Sequence, residues 1–173
     1  MSTNIGALIS HKMKFPPDKD LPERLMKGVK WVDWPIGPTW SWDLDHIHET
    51  SFRVIWSDPY GCSLWIGVHS IVIGFGYSWY MAATDTVIRN GIDLASESIA
   101  RFFGARQIIF LPDDLNPWFE LQQDAIYSGA TFDSILSQLR QFQEPSVDIV
   151  SAIDSDFRVI GYTVRDVPES AGE

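Results

Sequence analysis

The sequence predicts an α+β domain: a mostly antiparallel sheet of about five to six strands with helices packed on one face. Three observations predict it. Short β-branched and aromatic runs recur between residues 51 and 77 with turn residues between them, the rhythm of antiparallel hairpins. Later segments carry apolar residues at i, i+3 and i+4, the period of a helix with one buried face. The elements also come as strand, helix, strands, long helix, strand, two helices, strand, an order that suits helices set apart from an antiparallel sheet. A chain of 173 residues makes one domain, 1–173, with a tail expected to fray from about 166.

The elements follow in chain order. "NIGALISHKMKF" at 4–15 reads as a first strand. "PPDKDLPERLMKG" holds a short helix on Leu21, Leu25 and Met26, closing on Gly28. Residues 31–42, "WVDWPIGPTWSW", carry four tryptophans and two prolines. The prolines argue against regular structure, so this is an aromatic loop over a core edge. "SFRVIWS" (51–57), a "DPYG" turn, "CSLWIGV" (62–68) and "SIVIGFGY" (70–77) give a hairpin and a third strand. The run 78–103 is one long helix with Val87, Ile88, Ile92, Ala95, Ile99 and Phe102 on its apolar face and Gly104 as its stop. Its position between 70–77 and 106–112 suits a parallel crossover. "RQIIFLP" (106–112) is a buried strand. Asn116 is expected to cap a helix with Pro117 at its first position, ending at Gly129. Thr131 caps another, striped by Ile135, Leu136, Leu139 and Phe142 and stopped at Pro145. "FRVIGYTV" (157–164) is the last strand.

The densest set of chemical groups is "SWDLDHIHET" at 41–50. As a strand it puts Asp43, Asp45 and Glu49 on one face and His46 and His48 on the other. A zinc site wants three or four converging ligands. The two histidines supply two, and a third would have to be His11, His69, Cys62 or a distant carboxylate. No spacing demands it, so no metal and no cofactor are expected, and the stretch reads as a polar edge strand. His48 and Thr50 form half of a two-histidine phosphoesterase motif, but no second half exists. "GFGYSW" lacks the third glycine of a dinucleotide loop and has Trp79 there instead. No G-x-S-x-G, P-loop or H-E-x-x-H occurs. Cys62 is the one cysteine, which excludes an intramolecular disulfide and points to a cytoplasmic protein with a buried thiol. The longest apolar run, 64–83, has the rhythm of a sheet and not of a membrane span, and the N-terminal residues lack a signal-peptide pattern.

Charge is laid out unevenly. The net charge is −10, yet residues 1–30 carry six basic groups against three acidic ones. No lysine follows Lys30, and residues 107–157 hold nine carboxylates with Arg140 as their one basic group. Nucleic-acid binding needs a basic face and is excluded by this layout. An acidic surface instead steers a basic protein partner. Within "LPDDLNPWFELQQD" (111–124), Asp113, Asp114, Glu120 and Asp124 are the expected steering charges and Trp118 the expected aromatic anchor of a partner site.

The stretch "ARFFGARQIIFLPDDLNPWFELQQDAIYSGATFDSILSQLRQ", 100–141, resembles the C-terminal part of bacterial polymorphic-toxin immunity proteins, small single-domain proteins that bind and block a cognate toxin. The resemblance spans about a quarter of the chain and follows the order of helix, strand and capped helices. It implies a cytoplasmic, non-enzymatic, acidic partner-binding domain, and assigns no residue a role. Two functional expectations follow. The first is an immunity-type inhibitor of a basic protein, acting by occlusion. The second is a metal- or small-ligand-binding protein or hydrolase built on the His46/His48 strand and the Trp-rich loop 31–42.

Overall fold

The computed structural model describes residues 3–29, 42–48, 51–56, 63–113 and 116–169, with 42–48 and 51–56 as main chain only. In chain order the elements are β1 (Asn4–Ser10), α1 (Leu21–Gly28), β2 (Trp42–His48), β3 (Ser51–Trp56), β4 (Ser63–Ile66), β5 (Ser70–Ser78), α2 (Trp79–Thr84), α3 (Thr86–Phe102), β6 (Gln107–Pro112), α4 (Trp118–Tyr127), α5 (Phe132–Phe142) and β7 (Thr163–Asp166). The fold is α+β. Seven strands form one sheet in the order β2-β3-β4-β5-β1-β6-β7, and every neighbouring pair is antiparallel. β1 lies between β5 and β6 and runs against both, so β5 and β6 are parallel to each other. The chain between them, through α2 and α3, is the expected crossover, with β1 filling the gap.

The helices cover both faces of the sheet, not one. The row Leu64–Ile73–Ala7–Phe110 crosses the sheet and is buried in a first core with residues of α1, α2 and α3, including Leu25, Trp79 and Ile99. The neighbouring row Val72–Leu8–Ile109 is buried in a second core under α4 and α5. The cause lies in the central strands. β1 and β6 are apolar at nearly every position, and β1 is buried at all five of its middle residues. A strand apolar at each step has no face to give to water, so it needs a layer on both sides.

Several boundaries depart from the periodicity. The expected helix 78–103 is broken in two at Asp85. The Asp85 carboxylate accepts hydrogen bonds from the Val87 and Ile88 N–H groups and caps α3, while the Ser78 hydroxyl caps α2. Val87 is consequently on the exposed side, although Ile92, Ala95 and Ile99 are buried as expected. Gly104, at φ +74°, ends α3 in a Schellman motif, its N–H donating to the Arg101 carbonyl and that of Ala105 to Ala100. Asn116 does not cap α4. Pro117 holds the cap position, and no side chain caps that end. Thr131 caps α5 as expected through its bond from Ser134 N–H, but Phe142 at the other end is 60% exposed.

The last strand begins later than expected, at Thr163. Asp154 accepts N–H groups from Asp156 and Arg158 and curls 154–158 into a turn, so β7 pairs with β6 only over Thr163–Asp166. The preceding segment is held to the first core by Trp79, fully buried, whose indole N–H donates to the Ile149 carbonyl at 2.9 Å. Of the expected frayed tail, 166–169 stay with the fold. Val167 N–H donates to the Arg106 carbonyl, and the Arg101 guanidinium donates to that of Pro168.

The turn from β4 to β5 fixes α4 on the sheet. A Cβ on Gly67 would lie 2.2 Å from the Ala125 carbonyl oxygen and 3.1 Å from Ile126 Cα, both main-chain atoms of α4. Only glycine admits so close an approach. The same turn is tied on its other side to His11. Met13 N–H donates to His11 Nδ1, so the Nε2 proton is the one that donates to the Gly67 carbonyl, at 2.8 Å. Ser70 extends the joint by donating its hydroxyl to the Ala130 carbonyl beyond α4.

Two outcomes are expected. Gly67→Ala loses about 3 kcal/mol in urea unfolding, the upper end of overpacking costs, because helix backbone cannot move aside as a side chain does. His11 is held below its ordinary pKa of 6.5, chiefly by burial, so the folded state favours the neutral ring. Its contribution to stability is present above 6.5 and declines as pH falls from there through the folded pKa. Urea midpoints followed from about pH 7.5 to 5.5 should fall more steeply for the wild type than for His11→Gln; parallel curves would remove His11 from this role.

Candidate functional site

The five residues expected to form a partner site do not act together. Trp118 is 7% exposed and packs in the second core, with its ring 5.8 Å from that of Tyr162. It is not a surface anchor. Its i+3 and i+7 neighbours, Leu121 and Ala125, are apolar, and all three form the buried stripe of α4. That periodicity is visible in "WFELQQDAIY" and identifies Phe119 as the outward aromatic. Phe119 is 43% exposed. Glu120 and Asp124 lie one turn apart on the exposed side of the same helix. Asp113 is half-buried where β6 ends, with its N–H donating to the Asn4 carbonyl. Asp114 lies outside the described residues.

Asp113 and Phe119 meet in a cleft of about 320 Å³ between α4 and the second face of the sheet. Aromatic rings from Trp65, Phe119 and Tyr127 line it, and Gly74 and Gly76 of β5 contribute to the sheet side. Two features fix its geometry. The Trp65 indole N–H donates to the Ser63 hydroxyl at 3.0 Å, which sets the plane of the ring. The Gln122 amide nitrogen donates to the Pro112 carbonyl at 2.7 Å and reaches that of Trp118 at 3.4 Å. Those two acceptors assign the amide orientation, and Oε1 is turned towards Gly6, where a Cβ would lie 3.4 Å away. The β1–β5 ladder slips at this place: Gly6 pairs with Gly74 but Asn4 with Ser78, so three residues of β5 stand opposite Ile5 alone. Such bulges bend a strand and re-aim what it carries.

The charge of the surroundings follows from how the basic N-terminal segment is used. Lys14 pairs with Asp18, Arg24 with Asp20 and Lys27 with Glu23, each at i,i+4 spacing. The three carboxylates of residues 1–30 are thus taken by bases of the same segment. Glu120, Asp124 and Asp133 are exposed and enter no ion pair among the described residues. The carboxylates of α4 and α5 therefore keep their outward field.

One cluster of partly buried charges could be taken for acid–base machinery. Arg165 of β7 meets Asp93 at 2.6 Å and also Glu97, both on α3, and Arg101 stands 3.7 Å from Glu97. Burial raises the Asp93 pKa, against the pull of Arg165. Asp93 thus holds its proton more tightly folded than unfolded, and its contribution to stability declines as pH rises above 3.8 through the carboxylate range. Both carboxylates are spent on one guanidinium that clamps an edge strand to a helix, which is a structural role.

The histidine readings resolve only in part. His11 uses both ring nitrogens in hydrogen bonds and is not open to a metal. Among the described residues no three of His, Cys, Asp and Glu come together as a metal group. β2 is an edge strand, and its register places His46 in the row of Ile66, Ile71 and Ile9. The side chains of His46 and His48, Cys62 and the loop 31–41 lie outside the described residues. No helix among the described residues is long and apolar enough to cross a membrane. No protein-family model, curated protein or solved structure matches the chain.

Arg165→Met should cost about 3 kcal/mol at neutral pH in urea unfolding. That is the low end for removing one partner of a buried pair, because the guanidinium is partly exposed. A loss within ~0.5 kcal/mol, the range of an ordinary surface substitution, would show that the clamp carries no stability.

Proposed function

We propose that this protein is a non-enzymatic binding module that captures a basic protein partner on the outer face of α4 and blocks it by occlusion, in the manner of an immunity-type protein acting on a toxin. One observation carries the reading: Lys14, Arg24 and Lys27 pair with the carboxylates of their own segment, and Glu120, Asp124 and Asp133 are exposed with no ion pair among the described residues. A surface of one sign speeds encounter with a partner of the other sign and repels like-charged competitors. The outward aromatic beside these charges is Phe119, which takes the anchoring part first expected of Trp118. The resemblance of residues 100–141 to immunity proteins supports the inhibitory form of the reading.

The test is capture by the tagged protein from lysate of its native cell, read by mass spectrometry, followed by association kinetics with the captured protein. A basic protein in stoichiometric amount is expected. Replacing Glu120 and Asp124 together by Lys should slow its association about tenfold or more at low salt, and ~1 M salt should narrow the gap. Unchanged kinetics in that variant, or capture of no basic protein, would remove the reading.

A further inference from the structure

We propose that the turn at 154–158 and the adjoining start of α2 form a second docking surface, with Phe157 as its anchor, for a partner protein that presents an apolar face flanked by lysine or arginine. This surface adjoins α2, whose core lies on the other face of the sheet from that of α4. The inference does not rest on the α4 reading.

The backbone gives the first sign. Phe157 has φ +59°, in the left-handed region, where a bulky residue is a rare outlier. There a Cβ crowds the carbonyl oxygen, a strain that glycine avoids and asparagine tolerates. The turn is built to hold it. The Asp154 carboxylate accepts the N–H groups of Asp156 at 2.9 Å and Arg158 at 3.0 Å, and the Phe157 N–H donates to the Asp154 carbonyl at 3.0 Å. The Arg158 guanidinium closes the loop on the Asp154 and Asp156 carboxylates, at 3.1 and 3.2 Å. Strain of this kind persists only where the surroundings over-determine it, and it collects at ligand clamps and switch regions.

The strain serves no buried contact. The Phe157 side chain is 57% exposed, and among the described residues its one ring contact is Tyr80, edge-on at 5.0 Å and itself 47% exposed. An exposed edge contact offsets only part of the backbone cost. Met81, next to Tyr80 on α2, is exposed too, as are Val147, Val150 and Ile160 in the segment that carries Phe157. That segment is tied to α2 by the Trp79 indole bond to the Ile149 carbonyl, and to itself by the Ile160 N–H bond to the Ala152 carbonyl. Single exposed apolar side chains are ordinary. A strained aromatic held outward beside a second ring is not, and aromatic residues are the usual anchors of interfaces.

Charge selects the occupant. Residues 144–160 carry Glu144, Asp148, Asp154 and Asp156, with Arg158 as their one basic residue. Arg158 is shared between Asp154 and Asp156. Glu144 and Asp148 enter no ion pair among the described residues. Arg89 of α3 acts on Asp148 only at a distance, its guanidinium being bonded to the Ala82 and Ala83 carbonyls. An acidic rim about an apolar anchor suits a basic partner and repels an anionic membrane surface. A second copy of the chain, meeting this one through the same patch, would set these acids against each other.

The probe is a short amphipathic peptide of leucine and lysine, titrated into the full chain and followed by amide NMR. Leucine–glutamate and serine–lysine peptides of equal length, at equal ionic strength, are its controls. Saturable shifts are expected at the Tyr80, Val150, Phe157 and Arg158 amides with the leucine–lysine peptide alone. Phe157→Asn should weaken that binding about tenfold and leave the urea midpoint unchanged or raised, because asparagine relieves the backbone. Replacing Glu120 and Asp124 on α4 by Lys should leave these shifts in place. The proposal is overturned by absence of saturation, by equal binding of the serine–lysine peptide, or by unchanged affinity in Phe157→Asn. A lowered midpoint in that variant would assign Phe157 to the fold instead. Concentration-dependent dimerisation that Phe157→Asn abolishes would make the occupant a second copy and overturn it as well.

Discussion

The contact between Gly67 and the backbone of α4 is the constraint on which the second layer of the molecule depends. A helix normally stands off a sheet by the thickness of the side chains between them. Here the absence of a Cβ lets the Ala125 and Ile126 main chain come down onto the β4–β5 turn. That turn is itself held from the opposite side by His11 through the Gly67 carbonyl. One end of α4 is thus pinned tightly. Near its middle the Gln122 amide is bonded to Pro112, and the space above Gly74 and Gly76 stays open. A helix pinned low at its C-terminal end and resting beside glycines nearer its start leaves a cleft of this kind beneath it.

The two cores serve different ends. The first, under α1, α2 and α3, contains Trp79 and holds the 146–153 segment through the indole bond to Ile149. On its outer side the partly buried Arg165 cluster fastens the edge strand β7 to α3. The second core is smaller, built on two helices, and its outer surface carries Glu120, Asp124 and Asp133, which enter no ion pair among the described residues. Charge pairs locally in the i,i+4 contacts of the N-terminal segment and at long range in the Arg165 cluster, while the acids of α4 and α5 face solvent.

Much of the fold was legible in the sequence because it rests on local chemistry. The Thr131 cap and the Gly104 stop act within a few residues and stand where they were expected, while the DPYG turn lies outside the described residues. The second layer was legible in principle, since "GALI" and "QIIFLP" have no polar alternation. An order-based argument for helices on one face overrode that sign. The break at Asp85 was masked by an apolar period that continues through it, although Asp before Thr-Val-Ile is itself a capping signal. The Trp118 assignment failed for the same kind of reason: residue type suggested an anchor, while spacing to Leu121 and Ala125 fixed it inside. The cleft was not legible at all. Trp65, Asp113 and Tyr127 come from β4, the end of β6 and α4, which the sheet order and the packing of α4 bring together.

Exposed carboxylates and contacts that shed water contribute differently to an interface. Exposed ion pairs are each worth roughly 0–1 kcal/mol, and at ~0.1 M salt their reach is about 10 Å. On the proposed reading, Glu120 and Asp124 would therefore set how fast a basic surface arrives and would contribute little to holding it. Tight retention needs contacts that shed water, and the exposed aromatic beside these acids on α4 is Phe119. Binding energy at interfaces concentrates in a few such desolvated points ringed by weaker contacts. On α4, Glu120 and Asp124 directly follow Phe119 and Gln123, which line the cleft. On the proposed reading, a substitution among the outward acids should then act mainly on association and little on dissociation.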